Sequence, residues 1–509
     1  IITHILWGIV RAEARMPECW DSTTKPLWKK AGNKELKNIR PIALQNAMAK
    51  LPGAIIAERL TKVFSQHGTI HRAQEAWIKD GRTENFVWTV LNIWNHYRIK
   101  KKAHYSVMYD WVKAYDTLPW WAIDMAMERL KFPELIQNYV RGSLAGARTR
   151  VRTAYGLTEW ITMKKGIKQG DPLAPLLYII VMDVLHERLH DACAGTMVSD
   201  VKVCSKGFAD DTWIGSPTWA GIQEAHEVVV DICKFFHIGI HPTKTVLVGM
   251  DENNKRLDES KRLETNGLTV KATNKPQKSL GVWVHPDGNW RKQITVLGFI
   301  VHNTANALRY SRLNLQQATY ALRVHMWPKI AYRVRFLRKL TKANTNPWQV
   351  ALNNAVSRLG GGTRRIKPEA MAAVLDYPLV ALEARREIAL EVFRRLKGEG
   401  SAGKSTRMQL KKKQERKDGC EVQASRSTIL YSQLVEMGKL GMELKWCRPS
   451  ANRIPKSPEK PRQIRIQGRK IPMFGQVPPG TRDAEGKRIQ VEMCVDGSLR
   501  KEGGRGYAG

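Results

Sequence analysis

The spacing of apolar residues divides the chain into three regions. In residues 43–64 apolar side chains recur at intervals of three and four, which predicts an amphipathic helix, and we expect residues 1–98 to be mainly helical. Between residues 103 and 284, short β-branched or aromatic runs alternate with longer apolar stretches, a pattern typical of a domain with helices packed on a sheet. From residue 290 to about residue 396 the pattern is helical again.

The middle region contains the most clearly bounded elements. The predicted strands are residues 105–109, 201–208, 246–248 and 281–284, and the predicted helices are residues 176–189 and 222–236. Asp183 interrupts the first of these helices, and no apolar run in the chain reaches the length that spans a bilayer. We therefore expect buried elements here and no membrane partner.

The charge balance indicates a polyanionic partner. The chain has 84 Lys and Arg against 47 Asp and Glu, a formal net charge of +37, and 43% of its residues are hydrophobic. A folded chain with this excess repels itself unless a polyanion neutralises it, so nucleic acid is the expected partner. The seven cysteines are too widely spaced for a C-x-x-C zinc half-site, and we expect free thiols.

The C-terminal part is more basic still. Residues 401–470 hold 18 Lys and Arg against 6 Asp and Glu, which gives a net charge of +12, and prolines collect at their end. A flexible basic linker is the simplest interpretation, and a charged surface on a folded helical domain is the alternative. A new apolar strand is predicted at residues 489–495.

Three clusters in the middle region carry candidate chemistry. They are Val107-Met108-Tyr109-Asp110, the glycine-containing run at residues 165–175, and Gly207-Phe208-Ala209-Asp210-Asp211. Taken singly, each is an ordinary turn or helix start. Adjacent carboxylates repel each other, however, and a bound cation removes that cost. The order of the clusters, at separations of about 60 and 40 residues, is therefore the informative feature.

In this order the clusters resemble motifs A, B and C of a reverse transcriptase palm. The combination of Lys113-Ala114-Tyr115-Asp116, Gly170-Asp171-Pro172-Leu173 and Phe208-Ala209-Asp210-Asp211 is most similar to non-LTR (LINE-type) retrotransposons. Residues 40–44 and 74–83 resemble fingers motifs of that family, and residues 239–245 and 279–282 resemble its motifs D and E. The resemblance covers about residues 15–290.

The resemblance implies an α+β chain with the right-hand polymerase fold, in which helical fingers, an α/β palm and a helical thumb follow one another. The expected domains are fingers at 1–102, palm at 103–285, thumb or connection at 286–400, basic linker at 401–485 and the truncated start of an RNase H-like domain at 486–509.

Two-metal chemistry assigns the acidic residues. Nucleotidyl transfer uses two divalent cations, here Mg²⁺ with Mn²⁺ as a substitute, and such cations prefer carboxylate oxygens. Asp110 and Asp210 are expected to bridge the ions because both follow adjacent strands, and Asp211 is expected to be a third ligand or to support the other two.

The resemblance implies further roles. Tyr115 would exclude a 2′ hydroxyl from the sugar pocket, and Gln169 and Gly170 would line the incoming base. Lys244 would protonate the pyrophosphate leaving group, with a surface lysine as the alternative, and Lys30 and Arg40 would contact the triphosphate.

Residues 491–509 resemble the first hairpin of an RNase H domain, in which Asp496 would be the first metal ligand. The remaining ligands of that fold would lie beyond residue 509. Together with a first residue that is isoleucine, this predicts a piece of a longer polypeptide.

The expected function is RNA-directed DNA synthesis for a retroelement, with an RNA template, a DNA primer or target, and deoxynucleoside triphosphates. We expect the protein in the nucleus. A group II intron reverse transcriptase with maturase function, and an inactive fragment that only binds nucleic acid, are the alternatives. The sequence does not indicate an oligomeric state.

Overall fold

The computed structural model describes residues 8, 21–29, 35, 39–198, 201–338, 340–359, 367–398, 400–407, 409–416, 419–424, 428–447, 463–467, 490–493 and 499–500. The chain forms two compact units. One contains residues 1–86 and 101–274, and the other contains residues 87–100 and 275–509. Most of the predicted fingers (1–102) and most of the predicted palm (103–285) therefore share the first unit, whereas residues 87–100 of the predicted fingers belong to the second.

A four-stranded antiparallel sheet is the centre of the first unit. Its strands are β3 (His104–Tyr109), β9 (Ser205–Phe208), β10 (Asp211–Ser216) and β11 (Val246–Met250), in the order β11-β3-β10-β9. Side chains such as Val107, Ile214 and Leu247 are fully buried, because helices cover this face of the sheet. The predicted strand at residues 201–208 is divided into β8 (Val201–Val203) and β9.

The helices of this unit are α1 (Ala47–His67), the start of α2 (Thr83–Ile99), α3 (Ala114–Thr117), α4 (Trp120–Arg129), α5 (Glu134–Leu144), α6 (Ala174–Ala192) and α7 (Trp219–Phe235). Helix α6 is buried on most of its surface, which explains its nearly continuous apolar sequence. Its interruption, Asp183, is fully buried and accepts hydrogen bonds from the His71 backbone at 2.7 Å and from Arg129 at 2.6 Å. The polar residue thus stays in the core because both of its oxygens are paired.

A second sheet corrects the expectation of helical fingers. Strands β1 (Ser22–Trp28) and β2 (Ile39–Leu44) pair antiparallel, and β1 pairs parallel with β4 (Arg148–Thr153), which also contacts β5 (Gly156–Leu157) and β6 (Ile161–Thr162). Pro26 faces Pro41 in the β1–β2 register. The prolines and basic residues hide the strand pattern, and the partner strand β4 lies over 100 residues away, so periodicity did not reveal this sheet.

Three short antiparallel strand pairs account for the other named strands of the described residues up to residue 284. They are β7 (Thr196–Val198) with β8, β12 (Arg262–Thr265) with β13 (Leu268–Lys271), and, in the second unit, β14 (Gln277–Ser279) with β15 (Val282–Val284).

The second unit is mainly helical up to residue 407. Its helices are the remainder of α2, α8 (Arg291–Arg309), α9 (Leu315–Ala321), a π-helical turn (Leu322–Met326), α10 (Trp327–Val334), α11 (Lys342–Leu359), α12 (Pro368–Leu375), α13 (Val380–Lys397) and α14 (Ser401–Arg407). Trp88 of α2 packs against Phe336, with ring centroids 5.5 Å apart, and the Arg395 guanidinium lies 3.5 Å over its ring. Across the described residues, no helix has the length and apolarity needed to cross a membrane.

Folded elements continue into the segments predicted to be a linker (401–485) and the start of an RNase H-like domain (486–509). They are α15 (Ile429–Gly438) and the strands β16 (Leu410–Arg416), β17 (Gly419–Ala424), β18 (Glu443–Cys447), β19 (Gln463–Gln467), β20 (Gln490–Met493) and β21 (Leu499–Arg500), which form one sheet in that order. Leu430 and Met437 of α15 are buried against Ala389 and Val392 of α13. The linker interpretation is therefore wrong for the described part of residues 401–447, because apolar side chains between the basic ones close a core.

This packing predicts the effect of truncating Leu430. Replacing Leu430, which is 1% exposed, with alanine should lower the free energy of unfolding of the second unit by about 2–4 kcal/mol through lost burial and a cavity. Val435→Ala on the exposed side of the same helix should change it by less than about 0.5 kcal/mol. Urea unfolding of the full chain, with proteolysis of residues 401–442 as a second readout, measures both, and equal stability of the two variants would restore the linker interpretation.

Candidate active site

The pairing of β3 with β10 brings the predicted acidic residues together. The last residue pair of this ladder is Thr212 with Tyr109, so one step further along the antiparallel register Asp211 faces Asp110. Asp210 precedes Asp211 in the two-residue turn between β9 and β10, where Asp211 pairs with Phe208. Three carboxylates separated by about 100 residues in sequence thus meet at one end of the sheet.

The proximity of these carboxylates contributes to the raised pKa values of two of them. Burial, together with the negative charges of Asp210 and Asp110, raises the pKa of Asp211 to about 7. The pKa of Asp210 is also raised, first by desolvation from the surrounding protein atoms and then by the charge of Asp110. The side chain of Asp210 nevertheless keeps an exposed surface. A bound cation would counter both causes, because it favours the ionised form of a carboxylate.

Residues 241–245, which follow α7, form hydrogen bonds with Asp110. The backbone oxygen of Asp110 accepts from the His241 N–H at 2.8 Å, and the Asp110 N–H donates to Thr245 Oγ1 at 3.1 Å. The Lys244 ammonium donates to Asp110 Oδ2 at 3.0 Å. The structure therefore brings Lys244 to the site, where it supplies a positive charge directly beside a carboxylate.

Tyr115 lies near the carboxylate of Asp210. Its ring stacks on that of Tyr178 in α6, with centroids 5.1 Å apart and planes 11° from parallel. Burial raises the pKa of Tyr115, and the charge of Asp210 adds to this effect. The Tyr115 backbone oxygen accepts from the Ile167 N–H at 2.9 Å. The glycine-rich loop before α6 therefore fixes the position of this ring.

Gln169 and Gly170 connect the same loop to β2. The Gln169 backbone oxygen accepts from the Ala43 N–H at 2.8 Å, and its side-chain amide donates to Asp116 Oδ1 at 3.2 Å. Gly170 has φ +126°, and a Cβ there would lie 2.6 Å from the Ala43 oxygen. This position requires glycine both because of its backbone conformation and because of the close approach of the two chains.

The two basic residues predicted to contact the triphosphate, Lys30 and Arg40, have different outcomes. Arg40 is close enough to Asp210 to oppose the rise of its pKa, and Lys29 has the same effect on Asp210 and on Asp116. Lys30 and Asp496 lie outside the described residues. The sequence analysis did not identify Lys29. Two adjacent lysines look alike in a sequence, and the carboxylates near Lys29, Asp116 and Asp210, lie far along the chain.

The donor set fits divalent cations. In the part of the chain that the structure describes, no three or more His, Cys, Asp or Glu side chains are arranged as a preformed metal cage. Mg²⁺ in nucleotide-handling sites takes one or two protein carboxylates, and substrate phosphates and waters supply the rest. Asp110 and Asp210 match this requirement. The pKa of Asp211 is raised by burial and by the neighbouring negative charges, and a cation would offset those charges.

An antiparallel sheet with carboxylates at the ends of two adjacent strands, a stacked tyrosine beneath them and lysines around them defines the class of right-hand nucleotidyl-transferring polymerases. The sequence profile of the family "Reverse transcriptase (RNA-dependent DNA polymerase)" matches residues 28–301. The chain belongs to this family. The predicted reverse transcriptase family is confirmed, whereas the roles of the individual site residues stay predictions.

The relatives name the type of element. The chain is 29% identical over 220 residues to the "Retrovirus-related Pol polyprotein from type-1 retrotransposable element R2" of Nasonia vitripennis, which covers 43% of this chain and 21% of that protein. It is 32% identical over 212 residues to the polyprotein of the same name from Popillia japonica, which covers 41% of this chain and 28% of that protein. The chain thus matches only a fifth to somewhat more than a quarter of the length of these relatives. The predicted non-LTR family is confirmed, whereas the RNase H-like start stays a prediction.

Among solved structures, a telomerase from Candida albicans in complex with a fragment of telomeric RNA aligns with a TM-score of 0.36 and 11% identity. The alignment covers 76% of this chain and 65% of the telomerase. This likeness is too distant to add to the family assignment.

The close approach at Gly170 predicts a strong effect of one methyl group. Gly170→Ala should destabilise the first unit by about 2 kcal/mol or more, because the new Cβ meets the Ala43 oxygen in addition to the backbone strain. Gly146→Ala is the matched control, since Gly146 also has positive φ, +70°, but has nothing within 4 Å of its Cβ position. That variant should lose only about 1 kcal/mol. Thermal or urea unfolding compares the two variants. An equal loss of stability would show that the close approach of Ala43 in β2 to Gly170 does not matter.

Proposed function

We propose that the chain copies RNA into DNA by transferring deoxynucleotides from their triphosphates onto a primer 3′ hydroxyl. The observation that carries the proposal is the convergence of Asp110, Asp210 and Asp211 in a chain of the reverse transcriptase family. Two Mg²⁺ ions bound there would activate the hydroxyl and neutralise the charge developing on the triphosphate. Mn²⁺ would substitute for them.

The residues of the chain have distinct tasks in this proposal. Asp110 and Asp210 hold the cations, and Asp211, facing Asp110, supports them as a third ligand. Lys29 and Arg40 attract the triphosphate by their charge, as basic side chains do in phosphoryl transfer. Lys244, which donates to Asp110, would hold the proton that the pyrophosphate takes up.

Tyr115 sets the choice of sugar. Its ring is fixed between the loop before α6 and Tyr178, so it cannot turn aside at low cost. A 2′ hydroxyl above it would have to displace a stacked ring, which favours deoxynucleotides. Gln169, held by Asp116 and by the backbone of β2, would contact the incoming base.

The biological setting follows from the same chemistry. A net charge of +37 suits a protein that holds an RNA template and a DNA primer or target along their phosphates. Copying the RNA of a retroelement into a chromosome would take place in the nucleus. An RNase H-like domain that starts near Asp496 would follow the polymerase in the longer polypeptide.

The metal assignment predicts a loss of chemistry without a loss of binding. Asp110→Asn and Asp210→Asn should each reduce primer extension on an RNA template at least roughly a thousandfold, since a metal ligand is worth several kcal/mol in the transition state. RNA affinity should stay within about threefold, because it rests on many dispersed Lys and Arg side chains. Asp211→Asn should be less severe.

Asp124→Asn is the matched control, because Asp124 is a partly exposed carboxylate in α4 that pairs with Arg141 away from the site. It should extend primers normally. Extension by Asp110→Asn or Asp210→Asn within tenfold of the parent chain would contradict the metal assignment.

The position of Tyr115 predicts a change in sugar selectivity. Tyr115→Val should raise the efficiency of ribonucleotide incorporation relative to deoxynucleotide incorporation by about tenfold or more. The expected direction follows from removing the ring, and a steric penalty of about 3 kcal/mol in the parent corresponds to roughly a hundredfold discrimination. Single-nucleotide extension with each triphosphate gives the ratio.

Tyr115→Phe keeps the ring and should leave the ratio unchanged. An unchanged ratio in Tyr115→Val would mean that the side chain is only part of the core. A parent chain that prefers ribonucleotides would overturn the proposed function itself.

A further inference from the structure

A segment far from the carboxylates in sequence extends the palm sheet at its edge. Strand β9 is the last strand of the sheet, and the backbone of residues 73–75 runs beside it. The Gly207 N–H donates to the Ala73 oxygen and the Glu75 N–H donates to the Gly207 oxygen, each at 2.9 Å. The strand that leads to Asp210 is therefore held on its open side by a short added strand.

The side chain of Gln74 reaches from this segment to the catalytic turn. Gln74 is fully buried, and its Oε1 accepts from the Ala209 N–H at 3.0 Å. The same oxygen accepts from the Glu75 N–H at 3.1 Å and from the Ala76 N–H at 3.0 Å. One amide oxygen thus ties the residue before Asp210 to a local turn of the 73–76 segment.

Ala209 needs this support because of its backbone conformation. Its φ is +54°, in the left-handed region that residues with a Cβ avoid at a cost of about 1 kcal/mol or more. Such a residue keeps that conformation only when its surroundings fix it. Since Ala209 and Asp210 form the two-residue turn between β9 and β10, the backbone angle at Ala209 sets where the Asp210 carboxylate points.

A buried ion pair fastens the same two segments one residue away. Lys206, 1% exposed, donates to Glu75 Oε1 at 2.5 Å and to the Arg72 oxygen at 3.2 Å. The second oxygen of Glu75 accepts from Asn85 at 3.1 Å. Because both charges are out of water and paired, sliding of the 73–76 segment along β9 would leave a buried charge unpaired at high cost.

We propose that Gln74 is a positioning residue for catalysis, which holds the Ala209–Asp210 turn in the conformation that presents Asp210 to the metal ions. It contacts neither nucleotide nor metal and acts through the Ala209 N–H. The proposal rests on the proposed function for the consequence in catalysis, whereas the fixation of the turn is independent of it.

Two variants of the full chain test the proposal. Gln74→Met keeps the length and most of the volume of the side chain but removes the acceptor oxygen. Gln74→Glu keeps an acceptor oxygen at the same place. Gln137→Met is the matched control, because it makes the same chemical change on α5, where the Gln137 amide donates to the Phe132 oxygen.

Hydrogen exchange measures the turn directly, without any activity. In Gln74→Met the peptide that contains Ala209 should exchange roughly tenfold faster than in the parent, since a buried hydrogen bond is lost. In Gln137→Met it should not change. Exchange of this peptide at the parental rate in Gln74→Met would overturn the proposal, even for a chain that extends no primer.

Steady-state primer extension then separates positioning from stability. Gln74→Met should lower kcat about 10- to 100-fold, as a misplaced catalytic group does, and leave KM for the nucleotide within about threefold. Gln74→Glu should recover at least part of kcat. Ile180→Val, which removes one methyl group from the fully buried face of α6, lowers stability without touching the turn. A kcat loss in Gln74→Met no larger than that in Ile180→Val would show a merely structural role and contradict the proposal.

Discussion

The first unit is organised around a repulsive interaction. Asp110, Asp210 and Asp211 meet because β3 and β10 pair in one register, and a shift by a single residue would turn the carboxylates to opposite faces of the sheet. Burial and mutual repulsion both oppose ionisation there, as the raised pKa values of Asp210 and Asp211 show. The protein tolerates this arrangement because a buried apolar sheet face and two covering helices fix the register independently of the charges.

Each carboxylate is held mainly through its backbone. Asp110 is bound through its N–H and its oxygen by the segment with Thr245 and His241, and Asp210 is controlled by the hydrogen bond from Ala209 to Gln74. The side-chain oxygens are thereby left for cations and for Lys244. Backbone fixation gives the precision that two-metal chemistry needs without using the groups that carry out the chemistry.

In the described residues, folded structure continues into the most basic stretch of the sequence. In the second unit α15 packs on α13 through Leu430 and Met437 within a strongly basic stretch of sequence. Basic residues that flank a packed element keep more defined positions than those of a flexible segment. A flexible segment of equal charge would attract nucleic acid without orienting it.

The sequence by itself determined the family, the sheet-and-helix palm and the carboxylates, because short motifs and local periodicity are properties of neighbouring residues. It also predicted α6 and α7 to within a few residues, since their apolar patterns are long and regular. Only the tertiary structure decided the β1–β4 pairing, where Thr24 contacts Thr149, and the hydrogen bond between Gln74 and Ala209, partners 125 and 135 residues apart. It also decided that the described part of residues 401–442 folds, because the few apolar side chains there form a core with α13. Contacts of this kind depend on which distant surfaces meet, and a single sequence carries no local signal for that.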